Sequence, residues 1–228
     1  MKKMNKEKIL LHICCAPCAT ESFRRLKEEE FLPVGYFYNP NIYPESEHDK
    51  RYDECVSFCK SMNYKLIEID YDYQLEHKKW LKYIKGLESE KENGKRCLKC
   101  FEFRLKKAFE KAKSITVIGK YTTTLTISPY KDSKAIFEIA GLISADQKKK
   151  GNKISDQRKQ NEKKEDKIKY ITKAFKRIEE KNKNEYGPFF FEIDFKKKAG
   201  FEKSVIISKE HNLYRQHYCG CEFSMRDI

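Results

Sequence analysis

Along the first two thirds of the chain, apolar positions switch repeatedly between a strand-like run and a helical period. Ile9 to Ile13 is a short continuous apolar run, as expected of a strand buried on both faces. It ends at Cys14-Cys15-Ala16-Pro17-Cys18, after which Ala19 to Glu29 takes up helical spacing. Phe31 to Tyr38 predicts a second strand, closed by the turn-rich Asn39-Pro40-Asn41-Ile42-Tyr43-Pro44. Helices are predicted over Ser46 to Met62, with Ser46 as cap, and around Gln74 to Leu87. A third strand, Tyr64 to Ile69, lies between them. Beyond a break at Gly94, Leu98, Phe101, Leu105, Ala108 and Ala112 recur every three to four residues, so Cys97 to Ala112 reads as an amphipathic helix. Ser114 to Gly119 predicts a fourth strand. The hydroxyl-rich Thr122-Thr123-Thr124 and Ser128-Pro129-Tyr130 follow it, then a helix from about Lys131 to Ala140.

Strand and helix in alternation predict the α/β class, a parallel sheet covered by helices. In such sheets ligands bind outside the carboxyl ends of the strands. Both Cys14 to Cys18 and Thr122 to Ser128 are expected there. The pattern fails over Asp146 to Lys167, which holds nine basic and five acidic residues and almost no large apolar ones. A solvated, mobile insertion is the expectation. Periodicity resumes with Ile168, Ile171, Phe175 and Ile178. Pro188 to Phe195 then predicts a strand, and Ser208 caps a last helix, Lys209 to about His217. A chain of 228 residues suits a single domain carrying that insertion.

Composition narrows the class. Aromatic residues make up 13% of the chain, which argues against wholesale disorder. No run of about eighteen apolar residues is present, so no membrane partner is expected. Met1 to Lys8 is basic rather than apolar, so a cytoplasmic protein is expected. The formal charge of +14 draws polyanions, nucleic acid among them, although lysine bias alone produces such a balance.

Nine cysteines in a reducing compartment do not read as a disulfide framework. Seven fall into three tight groups: Cys14, Cys15 and Cys18; Cys97 and Cys100; Cys219 and Cys221. Cys55 and Cys59 stand apart at helical spacing among Val56, Phe58 and Met62, and read as core. Cys97 and Cys100 would share one side of a helix's first turn, where free backbone N–H groups favour an anionic cluster. A [4Fe-4S] cluster takes four thiolates, and Cys14, Cys15, Cys97 and Cys100 supply that number. Cys219-Gly220-Cys221 is a candidate dithiol whose short ring would be easily reduced. Two other classes account for part of the pattern. One is an RNA-binding module with structural zinc, and the other is a thioredoxin-like thiol oxidoreductase built on Cys15-Ala16-Pro17-Cys18. Zinc leaves more thiols than four ligands require, and the thioredoxin reading gives Cys97, Cys100, Cys219 and Cys221 no task.

The motifs also resemble a known family. Leu11-His12-Ile13-Cys14-Cys15-Ala16-Pro17-Cys18 is similar to the opening of the cobalamin-independent epoxyqueuosine reductases (QueH). So are Tyr38-Asn39-Pro40-Asn41-Ile42, Arg96-Cys97-Leu98-Lys99-Cys100 with Arg104-Leu105, and Thr122-Thr123-Thr124-Leu125 through Ser128-Pro129-Tyr130. The final stretch, Tyr214-Arg215-Gln216-x-Tyr218-Cys219-Gly220-Cys221, is similar as well. The resemblance covers about Ile9 to Ser224, with the lysine-rich stretch as an insertion.

The resemblance implies a Rossmann-like (HUP-type) sheet with a cysteine-rich metal site. It implies reduction of the cyclopentane epoxide of epoxyqueuosine to the alkene of queuosine, at the wobble position of tRNA. The implied cofactor is a [4Fe-4S] cluster on Cys14, Cys15, Cys97 and Cys100, with an additional mononuclear iron left open and Cys18 as candidate ligand for it. Cys219 and Cys221 become the redox-active pair, and Cys18, Cys219 and Cys221 the catalytic set. The implied partners are tRNA carrying epoxyqueuosine and an electron donor such as a flavodoxin or ferredoxin. Asn39, Asn41, Tyr130, Tyr214 and Arg215 are the expected substrate-binding residues. His12, within a strand, is expected to hydrogen-bond near the site without taking part.

Overall fold

The computed structural model describes residues 6–152 and 187–225. Five strands form one sheet in the order β3-β2-β1-β4-β5, and all four pairings are parallel. β1 (Glu7–Ile13) occupies the middle, between β2 (Phe31–Phe37) and β4 (Ile118–Thr123). β3 (Lys65–Ile67) and β5 (Phe189–Phe190) are short edges. Ile9 to Ile13 is wholly buried, as its unbroken apolar run requires, because helices cover both faces.

One layer holds α1 (Ala16–Glu28), α2 (Glu45–Ser61) and α6 (Gly200–Glu210), with Phe23, Leu26, Cys55 and Phe58 in its core. On the opposite face, Phe101, Leu105, Ala108 and Phe109 of α4 (Lys95–Lys113) meet Ile136 and Ala140 of α5 (Ser133–Asn152). α3 (Tyr73–Tyr83), capped by the Asp72 carboxylate on the Leu75 N–H at 2.8 Å, leads into α4. The predicted class and the alternation of elements are observed.

Several boundaries differ, for physical reasons. Pro44, not Ser46, precedes α2, and no side chain caps it. The fourth strand begins at Ile118 rather than Ser114, because Ile115 to Ile118 closes a turn after α4 (Ile118 N–H to Ile115 carbonyl, 2.8 Å). Thr122 and Thr123 are therefore strand residues rather than a loop. The pattern places them after the strand, and both are fully buried at its carboxyl end. Ser208 does not start the last helix. α6 begins at Gly200, whose Cα lies so close to the Phe195 carbonyl that a Cβ would come within 1.7 Å of it. Ser208 is buried inside α6 and donates to the Ser204 carbonyl. β3 and β5 are shorter than the predicted strands. The first part of the expected insertion, to Asn152, continues α5. The rest of it, and the Ile168 to Ile178 stripe, lie outside the described residues. Among the described residues no helix is long and apolar enough to cross a membrane.

Candidate metal and redox site

The sheet reverses its winding between β1 and β4, so a crevice opens at their carboxyl ends. Cys14 stands on that rim. Its N–H donates to Thr124 Oγ1 at 3.0 Å, and the Thr124 hydroxyl lies 3.2 Å from Cys14 Sγ. Pro17 sits in the first turn of α1, where its missing N–H costs nothing. That turn carries Cys18 back toward the strand end. The sulfurs of Cys14, Cys15 and Cys18 all lie within 4.8 Å of one another, and those of Cys14 and Cys15 are 3.8 Å apart. Among the described residues this is the one group of three or more Cys, His, Asp or Glu placed to hold a metal ion.

The trio's electrostatics are uneven. Hydrogen bonds from Cys15 and Cys18, then the cations of Lys131 and Arg104, hold the Cys14 thiol well below its usual range despite burial. Cys15 and Cys18 shift upward because each gives its hydrogen bond toward that thiolate. Desolvation pulls the Lys131 ammonium down, but the negative charge available on Cys219, Cys14 and Cys18 outweighs it and raises its pKa overall.

A second group forms around α4. Cys100 packs with Trp80, Ile84 and Cys221 in a small apolar cluster, and burial pushes its thiol up to about 12. Cys97 and Cys100 are both within electrostatic reach of Cys219 and Cys221. The tail that carries this pair is pinned. Arg51 of α2 donates to the Cys219 carbonyl at 3.2 Å, and the Tyr43 N–H donates to the Gly220 carbonyl at 2.8 Å. Gly220 adopts φ +117°, and a Cβ there would strike Arg51 at 2.8 Å and Ile42 at 2.9 Å. Glycine is required between the two cysteines.

A cavity of about 280 Å³ joins the groups; Cys14, Cys18 and Cys219 line it with Arg104, Lys131 and Gln216. Arg104 lies within electrostatic reach of both Cys14 and Cys100. It is 2% exposed and hydrogen-bonds the neutral Asn39 side chain. Neither Arg104 nor Lys131 forms an ion pair with a carboxylate of the described residues. Buried Arg104 and half-buried Lys131 line the cavity with Cys14, Cys18, Cys219 and the Glu92 carboxylate, and a net cationic setting beside thiols suits an anionic, thiolate-bound centre. The donor set therefore fits a sulfur-ligated metal. A larger, shallower depression of about 710 Å³ lies at the other end of the sheet, against Lys8, Val117 and Gly187, and none of its described lining residues is a cysteine.

The expected residues divide as follows. Cys14 and Cys15 converge with Cys18, whereas Cys97 and Cys100 stand in the second group with Cys219 and Cys221. All nine cysteines are free thiols. Tyr130, 72% exposed, and Arg215 line the cavity. Asn39 is wholly buried and committed: its Nδ2 donates to the Ile13 carbonyl at 2.8 Å and its Oδ1 accepts from Arg104. Asn41 is buried with its Oδ1 unpartnered. Tyr214 turns away, with its hydroxyl 3.1 Å from the Glu47 carboxylate and its ring under Lys50. His12 Nε2 donates to the Tyr38 carbonyl at 3.1 Å, so Nδ1 accepts from Thr123 at 2.8 Å. Burial, then Arg104, lowers its pKa to about 3, so it stays neutral. Pattern reading gave no role to Arg51, Arg104, Lys131 or Gln216. Arg104 and Gln216 stand within the motif stretches around the cysteines, whereas Arg51 and Lys131 lie outside them and carry no local signal.

The family model for "Epoxyqueuosine reductase QueH" matches residues 9–176 and 167–227. Curated relatives of that name include one from Haemophilus influenzae, 32% identical over 96% of this chain and 72% of its own length. Another from Thermotoga maritima is 32% identical over 95% of this chain and 90% of its own. A third, from Streptococcus pyogenes, is 30% identical over 99% and 73%. With its cysteine motifs gathered at one end of the sheet and its length matched almost throughout, the chain belongs to the epoxyqueuosine reductase (QueH) family.

Proposed function

We infer that this chain is an oxidoreductase that reduces epoxyqueuosine to queuosine in tRNA. The observation that carries the reading is the convergence of Cys14, Cys15 and Cys18 on one another beside a cavity that Cys14, Cys18 and Cys219 line, in a chain matched to the family nearly end to end. The reaction takes the epoxide, two electrons and two protons to the alkene and one water. Both ring C–O bonds break and the C=C bond forms.

A [4Fe-4S] cluster on Cys14, Cys15, Cys97 and Cys100, with an additional mononuclear iron at Cys18, supplies single electrons and a Lewis acid when bound. Cys219 and Cys221 serve as a dithiol that stores the electron pair, and Gly220 allows their close turn. Lys131 Nζ holds a proton beside Cys14, Cys18 and Cys219, where the leaving oxygen needs one. Tyr130 at the mouth offers a ring for an unstacked base, and Arg215 a charge for its phosphate. Asn41 lies farther back in the same loop as the committed Asn39. The +14 charge suits a tRNA partner, and a flavodoxin or ferredoxin type of donor supplies electrons singly. We read the sheet order as Rossmann-like of the HUP type. Residues 146–167 are treated as an addition to one catalytic domain, and the cytoplasm as its location.

The test is an anaerobic assay on tRNA carrying epoxyqueuosine with a chemical reductant, paired with iron and sulfide analysis. Conversion to queuosine by an iron-loaded protein is expected. A colourless protein with stoichiometric zinc and no turnover would end this reading.

A further inference from the structure

The proposed function leaves one polar group in the cavity unexplained. Gln216 lines it, and its Nε2 donates to Cys15 Sγ at 3.1 Å. The other half of the same amide, Oε1, is buried without a partner. A buried carbonyl with no donor costs about 1–3 kcal/mol, and such groups are rare in folded proteins. Turning the amide over only exchanges the halves, so one stays unpaired either way. Gln216 is held from both sides: Arg215 stacks over Phe201 with its guanidinium 5.7 Å from the ring, and Tyr218 donates to the Tyr43 carbonyl at 2.6 Å. These contacts fix the backbone on either side of Gln216.

We propose that Gln216 is a substrate-positioning residue, fixed through Cys15 and presenting Oε1 to a hydroxyl of the epoxide-bearing ring. This rests on the functional reading above and names the contact that turns the ring toward the sulfurs. The amide does two separable things. Its N–H sets the hydrogen bonding of the Cys15 sulfur, and its carbonyl reads a hydroxyl that an unmodified guanine lacks. A site built to accept from a hydroxyl discriminates strongly, because without that hydroxyl its buried acceptor goes unpaired.

The test compares holoprotein with Gln216→Leu and Gln216→Glu variants. Affinity is measured by anisotropy for tRNA carrying epoxyqueuosine and for the same tRNA with guanine at that position. Gln216→Leu should lose about tenfold in affinity for the modified tRNA and little for the unmodified one, with KM rising in parallel. Gln216→Glu keeps an acceptor and should retain most of that preference. Both variants lose the N–H to sulfur, so the midpoint potential of the bound metal centre should move negative in both. Equal loss for the two tRNAs, an unchanged KM, or loss of iron from Gln216→Leu would each overturn the contact and leave Gln216 a structural support of Cys15. Wild-type holoprotein that turns over shows that such a failure belongs to Gln216 alone. Wild type without turnover would instead sink the functional reading.

Discussion

Cys55 and Cys59 lie one turn apart on α2, 1% and 2% exposed, packed among Phe23, Phe58 and Ile13. Cys14, Cys15 and Cys18 are close neighbours in space, near enough that Cys15 acts electrostatically on Cys55. Burial pushes Cys55 well up and Cys59 to about 12, since a thiolate in hydrocarbon has nothing to solvate it. Cys14 is half-buried against the cavity and also loses solvation, yet it moves the other way. It receives hydrogen bonds from two thiols and lies beside Thr124, Lys131 and Arg104. Enclosure alone therefore does not say whether a cysteine is inert. Oriented donors and nearby cations make the difference, and they occupy the carboxyl end of the sheet and not α2.

The largest effect that separates the regions is on iron and turnover. Cys14→Ala or Cys97→Ala should remove bound iron and lower turnover by at least about 10³-fold, while Cys59→Ala should leave iron content per folded protein unchanged. Cys221→Ala should keep its iron and still lose turnover. Loss of iron from Cys221→Ala would instead make it a ligand and reverse the proposed roles. Next in size is reactivity toward a thiol reagent in metal-free protein. Cys14 should label at least about a hundredfold faster than Cys55 or Cys59, whose exposure requires global unfolding. Mass mapping of the labelled peptides measures this, and comparable rates would erase the contrast.

The inert pair was legible in sequence because helical spacing among apolar neighbours carries its own explanation, and α2 bears it out. Gathering the cysteines at strand ends was legible for a similar reason, since β1 ends where its apolar run ends. The cationic setting was not. Arg51 reaches Cys219 across 168 positions, and Arg104 meets Asn39 across 65, so no local pattern reveals them. Thr122 and Thr123 failed in the opposite sense. Hydroxyls placed after the strand belong to its buried carboxyl end, where Thr123 donates to His12 and the Thr122 hydroxyl has no partner.

A third prediction asks whether the α2 pair is only packing. Cys59→Ala removes a buried sulfur and should cost roughly 1–2 kcal/mol in urea denaturation. A loss of activity beyond the folded fraction would mean that α2 belongs to the site.

The smallest effect tests the electrostatic half of the comparison. In the unfolded chain Cys59 titrates near its ordinary value of 9.0, while in the fold it holds its proton to about 12. Above pH 9 the unfolded state releases a proton that the native state keeps. The stabilisation this group offers is thus complete below pH 9 and declines as pH rises toward 12, by at most about 1.4 kcal/mol per pH unit. Lysines and tyrosines titrate in the same window, but they are common to wild type and Cys59→Ala and cancel in the difference. Urea midpoints at pH 8, 9 and 10 should show the gap between the two proteins narrowing with pH, because only wild type carries the thiol. A gap that stayed constant would mean that Cys59 is solvated in the fold, and that α2 and the rim of β1 differ less than their surroundings suggest.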